Sequence, residues 1–213
     1  MLSIEGCIIV ADAMHCQKVT AKVIVEKKAD YVLSVKDNQS TLKQDIADYI
    51  QDPTLRKTMV SHKTIEKNRG RIEKRTAYAT NDIDWLHGKS DWANLACIGT
   101  INTQVITSKG TTDEWHYYIS SRNLTAEELL KHARLEWSVE SMHWLLDVHF
   151  EEDFCRVEDK NVQQNLNMVR KIVLNTLRRF KDASSSKRPF SKIMLDCMLE
   201  PLEILNVLIM AEC

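Results

Sequence analysis

Glu136, Glu140, His143 and Asp147 stand in succession four, three and four residues apart. On a helix that spacing sets three carboxylates and one imidazole along a single stripe. Such a stripe is costly to bury unless metal ions or basic groups neutralise it. It is therefore either a solvated face or part of a site for metal or phosphate. A further acid, Asp12, directly follows the apolar run Cys7-Ile-Ile-Val-Ala11. An acid at the carboxyl end of a buried parallel strand commonly holds a metal or a substrate, and helix N-capping is the alternative. His15 and Cys16 follow closely. A thiol nucleophile needs an activating partner, and nothing in the spacing supplies one. A second apolar run, Tyr31-Val-Leu-Ser-Val35, ends at Lys36, Asn38 and Gln39, again where ligand groups sit in a parallel sheet.

Residues 161–192 carry Arg170, Lys171, Arg178, Arg179, Lys181, Lys187, Arg188 and Lys192 against the single acid Asp182. A cluster of one sign is what contact with phosphates requires; a solvated helix face is the plainer alternative. Residues 193–213 hold Asp196, Glu200, Glu203 and Glu212 and no base. The whole chain has a net charge of −1, so only this asymmetry points to nucleic acid.

The elements that must position these groups follow from the hydrophobic pattern. Runs 7–11 and 31–35 are short and apolar, the pattern of strands buried on both faces. Residues 16–28 and 40–50 have helical periodicity, the first with Val19, Val23 and Ile24 inward and the second closed near Pro53. This β-α-β-α order requires parallel strands. Residues 58–62, 71–79, 95–107 and 115–120 are rich in Val, Ile, Thr, Tyr and Trp, with turn signals at 68–70 and 108–110, and predict an antiparallel meander. Thr125 with Glu128 forms a capping box that opens a helix running to about residue 150, its core side supplied by Trp137, Trp144, Leu145 and Val148. A second amphipathic helix covers 161–181, with Leu166, Val169, Val173, Leu177 and Phe180 on one face. A final helical stretch spans 190–211, interrupted at Pro201.

Composition fits this organisation. The 213 residues are 44% hydrophobic and 28% charged, with 5 Gly and 3 Pro, which excludes disorder as the main state and excludes collagen-like repeats. No apolar run approaches the ~18 residues of a membrane span. No basic leader with an apolar run behind it marks a signal peptide. The six cysteines include no C-x-x-C pair, so zinc-ribbon and redox motifs are absent, and reduced thiols in the cytoplasm are expected.

Several blocks resemble, in order, the H-repeat-associated insertion-sequence transposases. They are Ile9-Val-Ala-Asp12-Ala-Met-His-Cys-Gln17, Tyr31-Val-Leu-Ser-Val-Lys36-Asp-Asn38-Gln39, Arg69-Gly-Arg71-Ile-Glu73-Lys-Arg75, Tyr117-Tyr-Ile-Ser-Ser121 and Trp137-Ser-Val-Glu140-Ser-Met-His143-Trp144-Leu-Leu-Asp147-Val-His-Phe150-Glu-Glu152-Asp153. The last block is long and specific. The resemblance implies a DDE transposase in which three carboxylates hold Mg²⁺ or Mn²⁺ for phosphoryl transfer on DNA. By motif position Asp12 matches the second acid and Glu140 the third, with Lys36, Asn38, Gln39, His143 and Asp147 as supporting groups. Arg170, Lys171, Arg178, Arg179 and Lys181 are the expected DNA contacts. His15, Glu136 and Ser141 depart from the family's Gly, His and Asn.

The implied fold is α/β: a partial ribonuclease-H-like core lacking strands one to three, an inserted antiparallel β meander, and C-terminal helices. The expected divisions are 1–56 for the partial core, 57–121 for the β-rich insertion, 122–182 for the catalytic and basic helices, and 183–213 for a helical tail. The family's first catalytic Asp lies upstream of the matching blocks, so the expectation is a truncated remnant, inactive alone. The alternatives are a non-catalytic DNA-binding or interaction fragment, and a metal-dependent nuclease. An unpaired strand edge at 8–10 leads to the further expectation of a homodimer or of aggregation.

Overall fold

The computed structural model describes residues 3–68 and 70–212. Arg69, at the centre of the expected 68–70 turn, lies outside them. Strand β1 (Ile8–Ala11) is followed by helix α1 (Lys18–Glu26) and strand β2 (Asp30–Val35). The two strands pair in parallel, Ile8 opposite Asp30 and Ala11 opposite Leu33. Helix α2 (Ser40–Gln51) comes next. A short α3 (Pro53–Thr58) stands where the sequence predicts only a break and the start of a strand. Asp52 makes that helix, accepting from the amides of Thr54 (2.7 Å) and Leu55 (3.2 Å), while Pro53 fills the first position, where no amide is needed.

Strands β3 (Val60–Asn68), β4 (Arg71–Thr80), β5 (Cys97–Thr107) and β6 (Gly110–Ser120) form the expected antiparallel meander. It continues the sheet of the first two strands, because β6 pairs antiparallel with β2, Tyr117 opposite Val35. The result is one six-stranded, mostly antiparallel sheet in the order β1-β2-β6-β5-β4-β3.

Strand β2 explains why its run is apolar at every position. Tyr31, Leu33 and Val35 join one core with Ile24, Leu42 and Ile46 of α1 and α2. Val32 points to the other face, where Leu129, Leu130 and Ala133 pack. Those three belong to α4 (Ala126–Phe150). Its start is fixed as the sequence predicts: the Glu128 amide donates to Thr125 Oγ1 (3.2 Å) and the Thr125 amide to the Glu128 carboxylate (2.9 Å). At Gly99 of β5 an added Cβ would lie 2.8 Å from the Tyr78 carbonyl oxygen and run into the Leu129 side chain. The missing side chain is what lets α4 lie this close to the sheet.

The chain divides into two compact units, Met1–Trp137 and Ser138–Cys213, with α4 running through the boundary. The second unit also holds α5 (Lys160–Ala183), α6 (Phe190–Leu199) and α7 (Pro201–Glu212). Asp159 caps α5 by accepting from the amides of Asn161 and Val162. Leu177, Phe180, Ile193 and Val207 form the core of this unit.

Three expected helix faces are corrected. Helix α1 buries Ala21 and Ile24 and leaves Val19 73% exposed, because the small Ala21 side chain admits closer approach to the sheet. Helix α5 buries Leu174, Leu177 and Phe180, while Val169 and Val173 stand exposed. In the second half of α4 Leu146 is the fully buried residue, whereas Trp144 is 59% and Val148 52% exposed. Apolar residues there occur on every side of the helix, so periodicity selects no face.

Candidate functional site

Asp12 is the first residue beyond β1, at the carboxyl end of the parallel pair. Its backbone carbonyl accepts from the His15 amide (3.1 Å) and so opens a single 3-10 turn over Ala13–His15. Its side chain caps nothing. The carboxylate is exposed and has no hydrogen-bond or ion-pair partner among the described residues. The capping alternative is thereby removed.

The turn is held from the neighbouring strand end. Asn38 Nδ2 donates to the carbonyls of Ala13 (2.6 Å) and Cys16 (3.4 Å), and Gln39 Nε2 donates to the Cys16 carbonyl (3.0 Å). These amides satisfy carbonyls that lie outside the sheet ladder. Asn38 and Gln39 thus hold the Asp12 turn through their amide nitrogens. Lys36 is exposed at the end of β2. Its charge reaches His116 of β6, whose imidazole is kept below the ordinary histidine range mainly by burial, the Lys36 charge adding to the effect. The next base, Lys43, is committed to Asp37 at 2.7 Å. A polar cleft of about 720 Å³ opens beside this loop, lined by Lys18, Asn38, Gln39 and Ser40 among others.

Cys16 is fully buried, and burial pushes its thiol up to about 12. A thiol held neutral in this way is no nucleophile.

Glu140, His143 and Asp147 lie on the second half of α4, in the second unit. Glu140 and His143 are exposed and Asp147 is half-buried. None of the three has a hydrogen-bond or ion-pair partner among the described residues. Asp12, Lys36, Asn38 and Gln39 belong to the first unit. Among the described residues no three His, Cys, Asp or Glu side chains gather as a metal-ligand set. On α5, Arg170, Lys171, Arg178 and Lys181 are half-buried and Arg179 is exposed. Lys181 lies over the Phe190 ring at 4.6 Å. Arg188, by contrast, is neutralised by Asp196 (2.9 Å) and Glu203 (3.2 Å).

The sequence matches the family described as "Transposase DDE domain" over residues 1–176. The chain belongs to the DDE transposase family. Two relatives show the scale of the likeness. The protein named "Putative transposase YncI" of Escherichia coli O157:H7 is 32% identical over 208 residues, covering 94% of this chain and 53% of the relative. The protein named "H repeat-associated putative transposase YhhI" of Escherichia coli (strain K12) is 33% identical over 184 residues, covering 83% and 49%. This DDE transposase chain thus spans about half the length of the curated relatives it matches. None of its described helices is long and apolar enough to cross a membrane.

The pairings of one charged group are not announced by the sequence. Glu66 and Glu73 on adjacent strands bind Arg75, and Glu66 also binds Arg134 of α4. The hydrogen bond from Arg134 holds the Glu66 carboxyl below the usual carboxylate range, and Arg75 adds to this. Glu66 and Arg134 are 68 residues apart, and no local pattern announces such a pair.

Proposed function

We propose that this chain supplies two of the three carboxylates of a DDE transposase, Asp12 and Glu140, for metal-dependent phosphoryl transfer on DNA. The observation that carries the reading is Asp12. Its carboxylate is exposed, unpartnered and mounted on a turn that other side chains hold in place. Glu140 has the same exposed, uncommitted carboxylate, on a helix stripe shared with His143 and Asp147. Hard carboxylate oxygens of this kind suit Mg²⁺ or Mn²⁺. When bound, such ions activate a water or 3′-hydroxyl and stabilise the leaving oxygen. In this reading β1, β2 and their helices are the partial ribonuclease-H-like core and β3–β6 the insertion. Arg170, Lys171, Arg178, Arg179 and Lys181 take the DNA backbone.

The test is manganese binding followed by electron paramagnetic resonance. Asp12→Asn and Glu140→Gln should each weaken binding at least about tenfold, as losing a single orienting contact in a metal site already does. On linear DNA with Mg²⁺ or Mn²⁺ the isolated chain should neither cleave nor join strands, since two carboxylates do not complete a three-acid site. Cleavage lost in Asp12→Ala and Glu140→Ala would show instead that the chain completes a site by itself. A second reading, a non-catalytic DNA-binding fragment, takes its support from Arg170, Lys171, Arg178 and Arg179 of α5, which have no ion pair among the described residues. Manganese binding indifferent to both substitutions, with DNA binding intact, would select it.

A further inference from the structure

Residues 56–75 hold eight Lys and Arg against two acids, Glu66 and Glu73, a basic run that the roles assigned above leave unused. Strands β3 and β4 sort these charges onto two faces. Ala77 and Ala79 of β4 pack in the core that α4 covers, and Tyr78 packs on the core of α1 and α2. Alternate residues share a face, so Glu73 and Arg75 lie on the α4 side and Ile72, Lys74 and Thr76 on the Tyr78 side. The register carries this division to β3. Glu66 stands opposite Glu73, whereas Lys63, Ile65 and Lys67 stand opposite Thr76, Lys74 and Ile72. Both acids are committed on their own side, Glu73 to Arg71 at 2.6 Å and Glu66 to Arg75 at 2.9 Å. Lys63, Lys67 and Lys74 have no hydrogen-bond or ion-pair partner among the described residues. Lys63, Ile65 and Lys67 are exposed and Lys74 is half-buried. Two strands beyond Lys74 on the same face, Asp113 accepts from the side-chain amides of Asn102 and Gln104.

We propose that this lysine face of the β3–β4 hairpin binds the phosphate backbone of duplex DNA, as a contact surface additional to α5. The proposal rests on the reading of the chain as one that acts on DNA, but not on Asp12 or Glu140. Edge protection would account for Lys63 and Lys67, which lie on the outermost strand. It does not account for Lys74, whose strand is paired on both sides. Lys63 and Lys67, four residues apart, span about 13 Å of strand, with Lys74 midway between them on the next strand. Duplex DNA carries one negative charge per ~1.7 Å of its axis, so that length offers roughly eight phosphates. A rod of such charge density can meet all three ammonium groups at once. Contacts of this kind place the duplex without reading its bases.

The test is the triple variant Lys63→Gln, Lys67→Gln, Lys74→Gln, compared with Lys22→Gln, Lys27→Gln, Lys131→Gln, which removes the same charge from exposed positions elsewhere in the first unit. Fluorescence anisotropy on a labelled duplex across a salt series gives the slope of log affinity against log salt. The hairpin variant should lower the slope magnitude by at most about 2.7, that is ~0.9 for each phosphate released, and the comparison variant should leave it nearly unchanged. Equal losses in the two would assign the effect to net charge and overturn the proposal, as would no loss in the hairpin variant. Lysine acetylation of the parent, read by peptide mass spectrometry, locates the contact without any substitution. Saturating duplex should slow modification of Lys63, Lys67 and Lys74 several-fold and spare Lys22 and Lys27. Poly-glutamate protecting the three lysines as well as duplex does, at equal charge concentration, would assign the face to an acidic protein instead and overturn the proposal. If the parent fails to bind duplex even at low salt, the DNA reading falls for α5 and the hairpin together. Binding that loses slope with Arg178→Ala and Arg179→Ala but not with the lysine variant would leave that reading standing and remove this face alone.

Discussion

Among the described residues the Asp12 carboxylate is left uncommitted because other groups hold its turn. Capping is left to the backbone, and Asn38 and Gln39 reach across from the next strand end to the carbonyls of Ala13 and Cys16. Cys16 shows the reverse arrangement, a reactive group made inert by position. Its thiol is fully buried and pushed up to about 12 by desolvation, and Cys97 is buried and shifted in the same direction. Cys7 is exposed. Alkylation of the native protein near pH 8 should therefore modify Cys7 and spare Cys16 and Cys97 until denaturant is added, as read by peptide mass spectrometry. Rapid native labelling of Cys16 would mean that the 12–16 turn opens readily. Linkage gives the sign for stability. The folded state keeps the Cys16 proton while the unfolded thiol loses its own near pH ~8.5, so stability from this group is present below that pH and declines above it. The type and place of Asp12 were readable from the sequence because a buried strand stops at it. The partners of its turn were not, since Asn38 is more than twenty residues away and its amide carries no directional pattern.

Elements whose stabilising contacts are local were readable, and those whose contacts are distant were not. The capping box at Thr125 and Glu128 formed as its four-residue pattern demands. The doubly apolar run of β2 landed between two cores. The exposed faces of α1, α5 and the second half of α4 were misjudged because burial there depends on what packs opposite, which periodicity alone does not contain. The same distinction applies to charge. Along α5, Arg188 of the following segment proved to be bound to Asp196 and Glu203, which removes it from the available basic set. Arg170, Lys171, Arg178 and Arg179 have no ion pair among the described residues. In the proposed DNA-binding role they are the cations left to release counterions. Each phosphate neutralised contributes roughly −0.9 to the slope of log affinity against log salt. Arg178→Ala with Arg179→Ala should therefore lower the slope magnitude by at most about 2, measured by fluorescence anisotropy on a labelled duplex across a salt series. Arg188→Ala should leave it nearly unchanged. A slope indifferent to Arg178 and Arg179 would make that face of α5 a solvated surface only.

Across the whole molecule, protection against association is uneven. The sheet has two edges. Strand β3 places Lys63 and Lys67 on one and is guarded by charge, a usual defence. Strand β1 is the other edge, and Ile8–Ala11 contain no charged residue. Within the second unit Met198 is 81%, Leu199 71% and Leu202 74% exposed. Met198 also lines an apolar groove of about 350 Å³, with Ile172 and Ile204. Exposed apolar surface on this scale favours self-association. Sedimentation velocity of the purified chain should show an average mass that rises with concentration. Met198→Lys combined with Leu202→Lys should shift the distribution toward monomer if the helical surface is the seam. These two substitutions change no residue of the sheet, so association that persists in the variant would assign the seam to the open edge of β1. A mass independent of concentration in the parent would show that neither surface drives association. The charge-free edge beside Asp12 would then be closed by some contact other than a second copy.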